Sequence, residues 1–145
     1  MIPRVGPPIQ KDQRFKLRPG AYAILEREGF VLLTHQSAPV PEVQLPGGGI
    51  DPGEQMIPAL HREIVEETGW RAGPLRRLGA FRRFVFMPEY DLWAEKLCHV
   101  FVGRPTLQKG PPIEPNHTAV WATPEEAKEL VANEGDRLFL LRLFR

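Results

Sequence analysis

The chain has 145 residues, 42% hydrophobic and 26% charged, which is enough for one buried core and too little for two. Its 13 Gly and 16 Pro fall short of low-complexity or collagen-like composition. Nineteen Lys and Arg against eighteen Asp and Glu leave a net charge of +1, so no bulk attraction to duplex nucleic acid or to an anionic membrane is expected. A polyanionic ligand needs a local site.

Cys98 is the only cysteine, which excludes an intramolecular disulfide and a cysteine-rich zinc site. The first residues offer no apolar signal segment, and nowhere do about 18 apolar residues run together. A soluble, cytoplasmic protein is the expectation. Residues 1–16 are rich in Pro and polar groups and read as an N-terminal arm before a single domain over 17–145. Ala21 to Leu25 and Phe30 to Thr34 flank the turn-like Glu26-Arg27-Glu28-Gly29 and predict a β-hairpin. The short apolar stretch Val43 to Leu45 stops at Pro46-Gly47-Gly48-Gly49, where regular structure is expected to break into a loop.

The period then changes. Ile57, Leu60, Ile64 and Thr68 recur at steps of three and four, predicting a helix over 55–68, with Pro58 in its first turn and Gly69 as its stop. Leu78 to Phe86, Leu97 to Val102 and Ala119 to Ala122 are rich in aromatic and β-branched residues and predict three more strands. Thr123-Pro124-Glu125-Glu126 combines a capping residue, an N1 proline and early acids, so a helix follows to about Ala132 and a last one starts near Asp136. Helices framed by strands suggest a mixed sheet with helices packed on its faces.

On a helix at 100° per residue, Glu63, Glu66 and Glu67 share one face within about 100° of arc. Three carboxylates so placed repel one another. One explanation is a solvated face with Arg62 paired to Glu66; the other is a hard divalent cation, for which a rigid helical face supplies oxygen ligands. The glycines at 47–49 favour the cation, because they let a backbone carbonyl turn toward it and a phosphate approach the main chain.

Gly48, Glu54, Arg62, Glu63, Ile64, Glu66, Glu67, Gly69 and Trp70 stand at the spacing G-x5-E-x7-R-E-U-x-E-E-x-G-U, where U is bulky and apolar. This resembles the signature of the Nudix hydrolases, and chance would produce it on the order of 10⁻⁷ times in such a chain. The resemblance implies an α/β/α sandwich with a mixed β-sheet, and metal-dependent hydrolysis of a phosphoanhydride in a nucleoside diphosphate linked to another group. It implies Mg²⁺, or Mn²⁺, held by Glu63, Glu66, Glu67 and the Gly47 carbonyl, with Glu54 and Arg62 orienting the helix and its acids. The general base is either Glu63 or Glu114, an acid in the loop before the Val120-Trp121 strand. His117 is a weaker candidate for a phosphate contact or a proton donor. A small-molecule nucleotide is the expected partner, and a homodimer is compatible with the family. A non-catalytic nucleotide- or sugar-nucleotide-binding module on the same fold is the alternative. Arg82, Arg83 and Lys96 flank predicted strands and either face solvent or meet phosphates, and Phe84, Tyr90 and Trp93 are aromatics that either pack or stack a base.

Overall fold

Strand β1 (Lys16–Arg27) organises the molecule. In the computed structural model, which describes residues 1–8 and 13–145, β1 runs parallel to β7 (Leu92–Gly103) from Lys16↔Ala94 to Leu25↔Gly103. Its other edge is shared. Leu25 to Arg27 pair with β2 (Phe30–Gln36) as the predicted hairpin, while Gly20 to Tyr22 pair with β4 (Gly47–Gly49). The sheet order is β3-β2-β1-β7-β6, with β3 (Glu42–Gln44) and β6 (Arg76–Met87) outermost; β9 (His117–Ala122) also pairs with β2. Only β1 and β7 are parallel, so the sheet is mixed.

Helix α1 (Met56–Thr68) covers one face. Its Leu60 and Ile64 are fully buried against Ala21, Ala23, Leu25, Leu32 and Phe101, and each contributes roughly 1.5–3 kcal/mol by leaving water. Helices α2 (Pro124–Leu130) and α3 (Glu134–Leu143) cover the other face, where Phe139 and Leu140 meet Ile24, Leu33, Phe81 and Val100. This is the expected α/β/α sandwich. Thr123 and Glu126 close a reciprocal capping box on α2, satisfying two backbone donors that would otherwise be orphaned.

One expectation needs correction and one ribbon was not foreseen. The glycines at 47–49 form a strand rather than a loop, because β1 imposes on them a pairing that glycine does not itself favour. A two-stranded ribbon of β5 (Trp70–Ala72) and β8 (Pro105–Gln108) escapes the pattern, since segments this short carry no periodicity. The described part of the N-terminal arm runs along β6: the Val5 amide donates to the Arg82 carbonyl, and the Arg82 amide to that of Pro3, at 2.8 Å each. Residues 9–12 of that arm lie outside the described residues.

Candidate active site

The predicted acids are brought to one place by α1, β4 and the loop that precedes β9. Gly69 ends α1 in the left-handed region at φ 79°, its amide donating to the Val65 carbonyl. A Cβ there would lie 1.9 Å from the Gly110 carbonyl oxygen, so only glycine allows the 109–114 loop to pass so close. That loop is held in turn by the Glu66 carbonyl, which accepts from the amides of Ile113 and Glu114 at 2.9 Å each. Glu114 is thereby fixed beside the end of the helix, and its charge raises the pKa values of Glu63 and Glu67.

Glu67 is 5% exposed. Its Oε1 accepts the Gly47 amide at 2.9 Å. Burial pushes its carboxyl from 4.5 up to about 8, the Gly47 hydrogen bond lowers it in part, and Glu63, Glu114 and Glu66 raise it further. Glu63 is half-buried and is raised first by burial and next lowered by Arg62. Its carboxyl lies against Gly48, where a Cβ would come within 3.2 Å of the carboxyl carbon. The glycine therefore makes room for an acid, and the signature position is explained by space as much as by backbone freedom.

Arg62 serves three of the acids. It lies 2.9 Å from Glu54, 3.2 Å from Glu66 and 3.5 Å from Glu63, and Glu54 also accepts the Asp51 amide at 3.1 Å. The solvated Arg62–Glu66 pair read from the sequence is thus present, extended into a network that ties the 51–54 turn to α1. No group of three His, Cys, Asp or Glu side chains among the described residues converges into a ready metal cage: Glu66 faces Arg62 and Glu67 faces Gly47. A buried carboxylate without a cation among the described residues, a second acid cradled on a glycine, and an exposed Glu66–Arg62 pair that a rotamer change opens still form an oxygen donor set of the kind hard divalent ions take.

His117 is turned toward Thr34, its Nδ1 2.9 Å from Oγ1. Burial depresses its pKa, with Glu114 acting in the opposite sense. It ties β9 to β2, and its amide donates to the Glu114 carbonyl at 3.3 Å, while among the described residues its ring makes no hydrogen bond to a carboxylate.

Two further residues position the site, and neither is marked by the sequence pattern. Asp136 in the first turn of α3 is 3% exposed, and its Oδ2 accepts the Leu45 amide at 3.2 Å, anchoring the chain two residues before Gly47. Thr34, buried in β2, donates to the Glu67 carbonyl at 3.4 Å. Hydrophobic patterning marks helix faces but does not show which polar side chain a distant backbone amide will meet.

A cleft of about 340 Å³ opens beside Glu63 and Arg62 and is lined also by Arg18, Tyr90 and Lys96. A larger groove of about 620 Å³ lies near Glu28, Arg104 and Phe144 and holds none of the predicted site residues. Arg82 is exposed and pairs with Glu95 at 3.7 Å. Phe84 and Trp93 pack on Phe15, with centroids 4.7 and 6.1 Å away, so of the three aromatics Tyr90 alone lines the acid-bearing cleft.

Comparison with known proteins bears on the family. The chain is 39% identical over 74 residues to a Bacillus subtilis protein provisionally named an 8-oxo-dGTP diphosphatase, covering 51% of this chain and 50% of that one. It is 37% identical over 82 residues to an RNA pyrophosphohydrolase of Cereibacter sphaeroides, covering 56% and 49%. The chain therefore spans about half the length of the curated relatives it matches. Among solved structures, a MutT protein of Bacillus halodurans superposes with a TM-score of 0.71 at 21% identity, covering 87% of this chain and 81% of that one. A NUDIX hydrolase of Nitrosomonas europaea gives 0.65 at 22%, covering 79% and 78%; at these identities the likeness concerns the fold. The NUDIX domain family model matches residues 16–143, and with that span containing both the sheet and the acid-bearing helix, the chain belongs to the Nudix family.

Proposed function

We propose that this protein hydrolyses a phosphoanhydride bond in a nucleoside diphosphate linked to another group, with a divalent cation, Mg²⁺ or Mn²⁺, as its cofactor. The observation that carries the reading is Glu67: a carboxylate 5% exposed, with no cationic partner among the described residues, on the same helical face as Glu63 and Glu66. Burial of an uncompensated charge is costly, and a cation bound at the cleft offsets it. Glu63, Glu66, Glu67 and the Gly47 carbonyl are the groups that would hold the ion, which supplies neutralisation of the phosphoanhydride oxygens.

The remaining chemistry belongs to the chain. Arg62, fixed by Glu54, orients Glu63 and Glu66. Glu114, which makes no ion pair among the described residues and stands beside Glu63 and Glu67, takes the proton of the attacking water; Glu63, tied to Arg62, is the second candidate for that role. The names of the matched relatives bring an oxidised nucleoside triphosphate and RNA to the fore among the candidate substrates, beside ordinary nucleoside triphosphates, dinucleoside polyphosphates, ADP-ribose and a capped RNA end.

The test is a substrate panel with Mg²⁺ in H₂¹⁸O, read by phosphorus detection. Metal-dependent release of two phosphorylated products, with ¹⁸O in one of them, is expected. Glu114→Gln should lower kcat by about 10²–10⁴-fold with metal affinity retained. Nucleotide binding without hydrolysis under every metal would refute the enzyme reading in favour of a binding module.

A further inference from the structure

Arg18, Lys96 and Arg83 form a row of three cations across adjacent strands. Lys96 on β7 is the register partner of Arg18 on β1 and of Arg83 on β6. Residues directly opposite one another in a sheet point to the same face, so the three charges stand side by side. The next row in the same register is Gly20, Cys98 and Phe81, and Phe81 and Cys98 belong to the core beneath α3. The row thus lies one step beyond that core, and two of its members, Arg18 and Lys96, line the cleft shared with Glu63.

Like charges directly opposite in a sheet are destabilising. Here no ion pair among the described residues relieves them. Glu89 acts on Lys96 and Asp136 interacts with Arg83 only at longer range. Lys96 is half-buried, and its ammonium is disfavoured first by burial and then by Arg83, with Arg18 adding to the effect. The Nε of Arg83 is buried with no hydrogen-bond partner among the described residues. Arg18 is held with its guanidinium 5.0 Å from the centre of the Tyr90 ring, which fixes its direction while leaving its donors free. Arg82, one residue from Arg83, points to the other face and has Glu95. Being a cation on β6 is therefore not enough to belong to this row.

We infer that Arg18 and Lys96, backed by Arg83, are the polyphosphate-binding residues of the cleft, selecting a substrate whose phosphate chain reaches from the Glu63 wall to the β1–β7 floor. A neutral base or sugar would leave the row uncompensated, whereas a phosphate chain matches it in charge and in donor geometry. This inference rests on the nucleotide-hydrolase reading for its substrate, but the anion site itself can be tested apart from turnover.

The probes are a nucleoside triphosphate with Mg²⁺ for turnover and inorganic tripolyphosphate in EDTA, titrated calorimetrically, for binding. Lys96→Met and Arg18→Met are expected to raise KM about 10-fold or more with kcat changed by less than about 3-fold. They should weaken tripolyphosphate binding by a similar factor, while Arg82→Met changes neither. Lys96→Met should also leave the metal-free melting temperature equal or higher, because it removes like-charge repulsion; a lysine serving only to hold the sheet would lower it. Wild-type turnover with KM and tripolyphosphate affinity within about 2-fold in both cleft variants would overturn the inference and leave the enzyme reading standing. If the wild type turns over no nucleotide, the enzyme reading fails. The titration then still decides the site: weaker binding in the variants supports it, and equal or absent binding overturns it.

Discussion

Replacing Glu67 with Gln separates what the fold needs from what the chemistry needs. Glutamine keeps an oxygen for the Gly47 amide, now accepted at 2.9 Å, and removes the charge. Because burial raises the Glu67 carboxyl from 4.5 to about 8, the folded state holds that proton more tightly than the unfolded state. The metal-free protein therefore has its full stability below the ordinary value of 4.5 and loses it as pH climbs toward 8. At 1.36 kcal/mol per pH unit the whole window corresponds to at most about 5 kcal/mol, and relaxation around the charge reduces the observable part to roughly 2 kcal/mol. Urea midpoints in EDTA near pH ~5 and ~8.5 should agree for wild type and Glu67→Gln at the acid end and favour the variant by about 2 kcal/mol at the alkaline end. With Mg²⁺ at about 100 times its Kd, the wild type should gain about 2.7 kcal/mol and the variant much less, while metal-dependent turnover is lost. A variant no more stable than wild type at the alkaline end would refute the account of Glu67 as a charge buried in want of a cation.

Asp136→Asn tests a second buried carboxyl by the same logic. Burial pushes Asp136 from 3.8 up to about 7, the Leu45 amide and Arg83 opposing it, so its stabilising contribution is full below 3.8 and lost by about pH 7. The asparagine variant should flatten the urea-midpoint profile over that window, and an unchanged slope would show that the carboxyl is not desolvated in solution. Gly69→Ala should cost more than the roughly 1–2 kcal/mol of a left-handed alanine, because its Cβ would sit 1.9 Å from the Gly110 carbonyl oxygen. The loop bearing Glu114 must shift, so turnover should fall along with the denaturation midpoint; a midpoint unchanged from wild type would contradict the close approach.

The helix was the most legible part of the chain because two patterns coincide on it. Leu60 and Ile64 mark the buried face, and Glu63, Glu66 and Glu67 mark the adjoining one. Gly69 was readable as a stop, but its second use, admitting Gly110, depends on a residue 41 positions away and leaves no local trace. The β4 strand was unreadable for the opposite reason. Three glycines have no strand preference, and their conformation comes from pairing with Gly20 to Tyr22. Arg83 and Lys96 were legible as candidates to meet phosphate, but Arg18 and the row itself were hidden, because the three are separated in sequence and only strand register aligns them. From sequence alone Arg82 and Arg83 looked equivalent, and alternation on β6 sends them to opposite faces.

The two unfavourable charge arrangements belong together. Glu67 and Glu63 concentrate negative charge on α1, and Arg18, Lys96 and Arg83 concentrate positive charge on the sheet; Glu63, Arg18 and Lys96 line one cleft, yet no ion pair among the described residues joins the two sets. Arg62 marks the boundary, spent on Glu54, Glu66 and Glu63 and so unable to serve the sheet side. Had the two sets closed into salt bridges, each buried charge would be satisfied and the cleft would have nothing left to bind with. Held apart, they call for a ligand that is cationic at one end and anionic at the other. A divalent ion carrying a phosphate chain is such a ligand, and its binding would restore the stability that both charge clusters cost the empty fold.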